Sequence, residues 1–134
     1  MRTSAAASPV RADAEVVRID RDRADPSIEV RFRIEPDEPV FAGHYPDFPI
    51  FPGVCVVECA HRAALAAVPV AGAALSLVAL ESARFTGPVM PGDVLTVRAD
   101  WIACEGGWKY RATASTVRGE SAKVKLRYRT EETS

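Results

Sequence analysis

One of the chain's two histidines, His44, stands in a stretch unlike the rest of its 134 residues. From Phe41 to Glu58 the chain reads Phe-Ala-Gly-His-Tyr-Pro-Asp-Phe-Pro-Ile-Phe-Pro-Gly-Val-Cys-Val-Val-Glu. The stretch offers three chemical tools. The His44 imidazole can act as a base near neutral pH. Gly53 opens a predicted helix, where backbone N–H groups lack partners and the dipole end is positive, so its N–H suits an oxyanion. Glu58 follows five residues later, ~7.5 Å further along the helix axis. A base, an oxyanion donor and an acid suffice to remove a proton beside a carbonyl and expel a β-hydroxyl. On residue types alone, a hydrogen-bonded loop histidine and a solvent-facing helical glutamate remain an open alternative.

The elements around these residues are legible from proline placement and periodicity. Pro36, Pro39, Pro46, Pro49 and Pro52 fall close together, so this stretch is neither a helix interior nor a central strand. A stiff, irregular loop rich in aromatics is expected, a suitable place to hold a functional group still. Between Pro52 and Pro69 the segment 53–68 reads as a helix, with an alanine-rich second half. Val56, Val57, Ala60, Ala63, Ala64, Ala67 and Val68 cover most of its circumference. Cys55, Glu58, His61 and Arg62 share the remaining arc with Val54 and Leu65. Strict alternation marks strands at 28–34 and 122–129. Further strands are expected at 75–85, 94–104 and 108–117, and a first one at 16–19, with turns at Gly106-Gly107 and Arg118-Gly119. The architecture is α+β: one long helix embraced by an antiparallel sheet of five or six strands. Residues 1–13 are expected to be a disordered tail and 14–134 a single domain.

Apolar residues make up 48% of the chain and charged residues 26%, the proportions of an ordinary globular domain. Seventeen basic against eighteen acidic side chains leave a net charge of −1, which excludes a general nucleic-acid footprint. The longest apolar run falls short of the ~20 residues of a membrane span. The start of the chain lacks a leucine-rich stretch of signal-peptide length. Three cysteines (Cys55, Cys59, Cys104) without a C-x-x-C pair argue against a disulfide framework or a zinc ribbon, and a cytoplasmic location is expected. Cys55 and Cys59 read as buried small side chains, and Trp101 and Trp108 as core or interface fillers. Lys123, Lys125, Arg127 and Arg129 form one face of a strand, read as a solvated outer face with an acidic carrier protein as the alternative.

The motif as a whole resembles the signature of the 3-hydroxyacyl-ACP dehydratases of the FabZ/FabA type. Their pattern, G-H-F-P-x-x-P-x-x-P-G-V with an acid fourteen residues after the histidine, is met by Gly43-His44-Tyr45-Pro46, Pro49, Pro52-Gly53-Val54 and Glu58. A second family element is matched by Arg84-Phe85-Thr86-Gly87-Pro88-Val89-Met90-Pro91-Gly92-Asp93. The resemblance covers roughly residues 14–130 and implies the hot-dog fold. It implies that His44 takes the α-proton of a 3-hydroxyacyl thioester, that the Gly53 N–H holds the thioester oxygen, and that Glu58 protonates the departing hydroxyl. It further implies a tunnel lined by Tyr45, Phe48, Phe51 and Val54, no cofactor or metal, and a substrate carried on acyl carrier protein or coenzyme A. A homodimer is implied as well, each site shared between two subunits. Two departures stand out: Tyr45 replaces the usual phenylalanine, and Arg62 stands where a glutamine is expected. If Arg62 is not to disable the acid beside it, it must turn to another partner, an acidic residue or a backbone carbonyl. The competing readings are a non-catalytic acyl-binding or partner subunit, which Arg62 favours, and a thioesterase, which has no need of the His/Glu pairing.

Overall fold

The computed structural model describes residues 10–43 and 51–131. Among these, six strands form one sheet: β1 (Ala14–Asp20), β2 (Ser27–Arg33), β3 (Leu75–Phe85), β4 (Val94–Cys104), β5 (Gly107–Thr116) and β6 (Gly119–Thr130). Their order is β1-β2-β4-β5-β6-β3, and every neighbouring pair is antiparallel. Alternation decides which side chains face inward. Ile28, Val30 and Phe32 of β2 pair with Ala99, Val97 and Leu95 of β4, all on the buried face. Each fully buried large side chain of this kind contributes about 1.5–3 kcal/mol of transfer free energy. The partners between them, such as Glu29 and Arg98, point outward and form an ion pair at 3.4 Å. The β4–β5 hairpin turns at Gly106, whose φ of 79° favours glycine.

Two helices complete the described chain: α1 (Pro39–Gly43) and α2 (Gly53–Ala66). The long helix α2 touches every strand of the sheet. Cys55, Cys59, Ala60, Ala63, Ala64 and Ala67 are fully buried. Thiol- and methyl-sized side chains along this stripe let the sheet close tightly around the helix. Trp101, Tyr110 and Tyr128 fill the space at the far end, with ring centroids 4.6 to 5.9 Å apart. The Trp101 indole N–H donates to the Ala67 carbonyl at 3.0 Å, occupying an acceptor where the helix ends. No helix among the described residues is long and apolar enough to cross a membrane.

Several expectations are modified. The proline-rich loop contains one helical turn, α1, which begins at Pro39, because proline fits a first helical position where its missing N–H has no partner to lose. The long helix stops at Ala66 rather than Val68. Ala67 already has φ −138° and ψ 65°, and the residue before Pro69 is steered out of the helical region. Cys55 and Cys59 are buried, in keeping with their reading as small core side chains, whereas Val57 and Val68, expected on the apolar face, are only half-buried. The inward stripe is set by where small residues recur, not by hydrophobicity alone. Of the tail expected over 1–13, residues 10–13 are described, and there Val10 and Ala12 are buried in the core.

Candidate active site

The start of α2 is built from two sequence motifs brought together. Pro52 caps the helix in an extended conformation, with φ −64° and ψ 151°, and supplies no side-chain hydrogen bond. Its carbonyl accepts the N–H groups of Cys55 at 2.9 Å and Val56 at 3.2 Å. The Gly53 and Val54 N–H groups lie ahead of these and have no acceptor within the helix. The Phe51 N–H donates to the Val89 carbonyl at 2.7 Å, tying the loop to the turn that follows β3. That turn is held in its own right: Asp93 accepts the Met90 N–H at 2.7 Å and pairs with Arg118, and the Gly92 N–H donates to the Ile34 carbonyl at 2.6 Å. The second motif thus acts as a brace for the helix start.

Glycine at position 53 has a steric reason. A Cβ there would lie 2.9 Å from Cζ of Phe85 and 3.0–3.1 Å from two further atoms of its ring. The ring therefore rests on the Gly53 backbone, although Phe85 is otherwise half exposed. Phe85 is a site residue that the catalytic motif by itself does not point to. The Arg84-Phe85 step of the second motif is the signal that carries it.

Glu58 sits midway along α2, half-buried, five residues beyond Gly53. Its charge acts on Cys55, Cys59, His61 and Tyr128. Burial first, then the Glu38 and Glu58 charges, push the Cys55 thiol up to about 11. Cys59 is pushed up further, again by burial. Arg62, one turn beyond Glu58, donates from Nη1 to the Val10 carbonyl at 2.8 Å. A backbone carbonyl is one of the two kinds of partner expected for it, the other being an acidic residue. Next to it, the Arg11 N–H donates to Oε1 of buried Glu38 at 3.0 Å, so the segment before β1 is fastened at two points.

The structure therefore brings Gly53, Glu58 and Arg62 onto one helix. His44, Tyr45 and Phe48 lie outside the described residues. Of the other two expected tunnel residues, Phe51 is buried against Phe41, with centroids 6.0 Å apart, and Val54 is 69% exposed. The strand face of Lys123, Lys125, Arg127 and Arg129 points outward, and three of the four are ion-paired, to Glu120, Glu81 and Glu131. A hollow of about 560 Å³ lies among Arg18, Arg98, Arg111, Lys123 and Lys125 on that outer face, across the sheet from α2. It is not placed to receive a group acting with Glu58.

A sheet curled around one long central helix defines the class: the chain has the hot-dog fold. Solved structures agree. The dehydratase heterocomplex ApeI:P from Xenorhabdus doucetiae superposes with a TM-score of 0.65 over 87% of this chain and 98% of that one, at 18% identity. A hypothetical thioesterase with coenzyme A from Streptococcus pneumoniae gives 0.72 over 92% and 89%, at 12% identity. Sequence comparison narrows the class. The chain belongs to the ApeI-like family, described as ApeI dehydratase, whose pattern matches residues 20–127. It is also 37% identical over 93 residues to a 3-hydroxyacyl-[acyl-carrier-protein] dehydratase FabZ of Ruminiclostridium cellulolyticum, covering 66% of each chain. To the corresponding protein of Thermus thermophilus it is 38% identical over 90 residues, 63% of each chain. The matched region spans roughly half to two thirds of the curated relatives' length.

Proposed function

We propose that this chain dehydrates 3-hydroxyacyl thioesters to trans-2-enoyl thioesters, the substrate being carried on acyl carrier protein or coenzyme A. The observation that carries the reading is the pairing, on one helix, of two N–H groups without helical acceptors at residues 53 and 54 with a half-buried carboxyl at Glu58. The thioester oxygen accepts the Gly53 N–H, which stabilises enolate charge as it develops. His44, supplied by the motif, takes the proton from the carbon next to the carbonyl. The electron pair of that C–H bond becomes the new double bond, and the C–O bond at the third carbon breaks. Glu58 gives its proton to the departing oxygen, which leaves as water. The chemistry balances with the two side chains and no cofactor.

An acid must hold a proton at working pH, and an ion pair with Arg62 would oppose that. The Arg62 bond to the Val10 carbonyl supports a role for that cation apart from the acid, and so supports the catalytic reading over a non-catalytic partner subunit. The relatives named for acyl-carrier-protein substrates support carrier-bound acyl groups over free acids. Three free thiols fit a reducing cytoplasm.

The test is direct. Purified protein incubated with short and long 3-hydroxyacyl thioesters should generate enoyl absorbance. His44→Ala and Glu58→Gln should each reduce turnover by ~10²–10⁴-fold while leaving the circular dichroism spectrum unchanged. Near-native turnover by either folded variant would remove that residue from the mechanism.

A further inference from the structure

His61 follows Glu58 by three residues on α2, a spacing that puts two side chains on one helix face. Its Nδ1 lies 2.7 Å from the Tyr128 hydroxyl. The two rings are stacked, with centroids 5.7 Å apart and an interplanar angle of 10°. Tyr128 reaches this point from β6 and is 1% exposed. A helical histidine that only faced solvent would need neither the bond nor the stack. Here a side chain next to the candidate acid is locked to the sheet.

The lock determines where the histidine keeps its proton. Burial pushes the His61 imidazolium down and the Tyr128 phenol up, so the pair is a neutral imidazole and a protonated phenol. Between them the phenol is the stronger donor and the imidazole nitrogen the stronger acceptor. The Tyr128 hydroxyl therefore donates to Nδ1, and the His61 proton sits on Nε2. Among the described residues, these charged and titratable groups surround the pair. From α2, Glu58 acts on both rings, while Arg62 is engaged by the Val10 carbonyl. Near the start of the described chain, Glu38 accepts the Arg11 N–H. From β5 comes Tyr110, whose fully buried hydroxyl holds its proton.

Resting on the reading of Glu58 as the acid, we propose that His61 is its positioning residue: pinned at Nδ1 by Tyr128, it presents Nε2–H on the helix face shared with Glu58, orients the carboxyl, and shares the negative charge left there when the proton passes to the departing hydroxyl. His61 transfers no proton itself. The O–H bond of Glu58 breaks, the proton joins the leaving oxygen, and the new carboxylate meets a donor already in place. Such an interaction is stronger in the transition state than before it, so it acts on kcat more than on KM.

Two substitutions separate the ring nitrogens. The His61→Asn amide reaches the Nδ1 position but leaves nothing at Nε2, whereas His61→Gln extends an N–H toward the Nε2 position. His61→Asn should lower kcat by about tenfold or more with KM within about twofold, while His61→Gln stays within about threefold of native. Equal effects of the two, in kcat or in thermal stability alone, would reduce His61 to a packing role and overturn the proposal. A readout independent of turnover comes from ¹⁵N-histidine NMR, with the His44→Ala variant assigning the two rings. His61 should be neutral at pH 7 as the Nε2–H tautomer, and Glu58→Gln should lower its titration further. An Nδ1–H tautomer, or a titration indifferent to Glu58→Gln, overturns the proposal whatever the turnover. Native protein silent toward every thioester, with the spectra as expected, would overturn the dehydratase reading while the coupling of His61 to Glu58 stands.

Discussion

Arg62 departs from the family pattern, and the Val10 carbonyl gives the physical reason. A glutamine is too short to span what the arginine spans, so here the cation serves as a fastener for the segment leading into β1. Arg62→Gln should therefore keep dehydratase turnover within roughly tenfold, a barrier change of ~1.4 kcal/mol. The lost hydrogen bond should cost stability of about 1 kcal/mol. A hundredfold loss of turnover in a folded variant would place Arg62 in the chemistry after all. His61 makes a prediction of its own in pH. Its folded value lies below the ordinary 6.5, so between the two the unfolded chain binds more protons than the folded one. Stability then rises with pH across that window and erodes as pH falls below 6.5. The melting temperature of the native protein should fall more steeply from pH 7 to pH 5 than that of His61→Gln. A steeper fall in the variant would contradict the sign.

At the scale of the element, α2 is both the core of the molecule and the carrier of its site, and the two roles use different faces. The stripe through Cys55, Cys59 and Ala63 is sealed by the sheet, while Glu58 and His61 are half-buried. The helix thiols should be inert as a result. Cys55 stands at about 11 and Cys59 higher, so neither is a thiolate at pH 8. Iodoacetamide followed by peptide mass mapping should label half-exposed Cys104 first, and Cys55 and Cys59 only after denaturation. Rapid native labelling of Cys59 would show that the helix is not enclosed as described. The braces around the helix start matter in the same way. A backbone N–H can stabilise an oxyanion only if it does not move, and the Phe51–Val89 bond and the Phe85 ring hold it on two sides.

At the scale of the whole molecule, the sheet ends beside the site in a strand, β3, that pairs with β6 on one side only. Edge strand β3 exposes Leu77, Val78, Leu80 and Phe85, each 44–52% accessible, and Val54 and Leu65 of α2 are exposed as well. A long apolar edge invites pairing with a second chain. Light scattering at micromolar concentration should give a dimer, and Leu80→Lys should shift it toward monomer without loss of secondary structure. If the site is shared between subunits, mixing inactive His44→Ala with inactive Glu58→Gln should restore some turnover through hybrid dimers. A native monomer under those conditions would rule this arrangement out.

Local chemistry made much of this legible in advance. Alternation in Ile28–Ile34 and Ala122–Arg129 sets the strand faces whatever the strands pair with, because successive side chains must point to opposite sides. The prolines at 52 and 69 bracket the helix because each forbids its continuation. Spacing alone places Glu58 downstream of Gly53 on one helix. What only the tertiary structure decided was which neighbours those elements meet. Nothing in the residues from Glu58 to Arg62 states that Arg62 reaches Val10, that His61 meets Tyr128 of the last strand, or that Phe85 lies on Gly53. These contacts join positions far apart in the chain, and they form only once the sheet has closed around α2. Periodicity records the direction of a side chain, while its partner depends on a register fixed by the whole sheet.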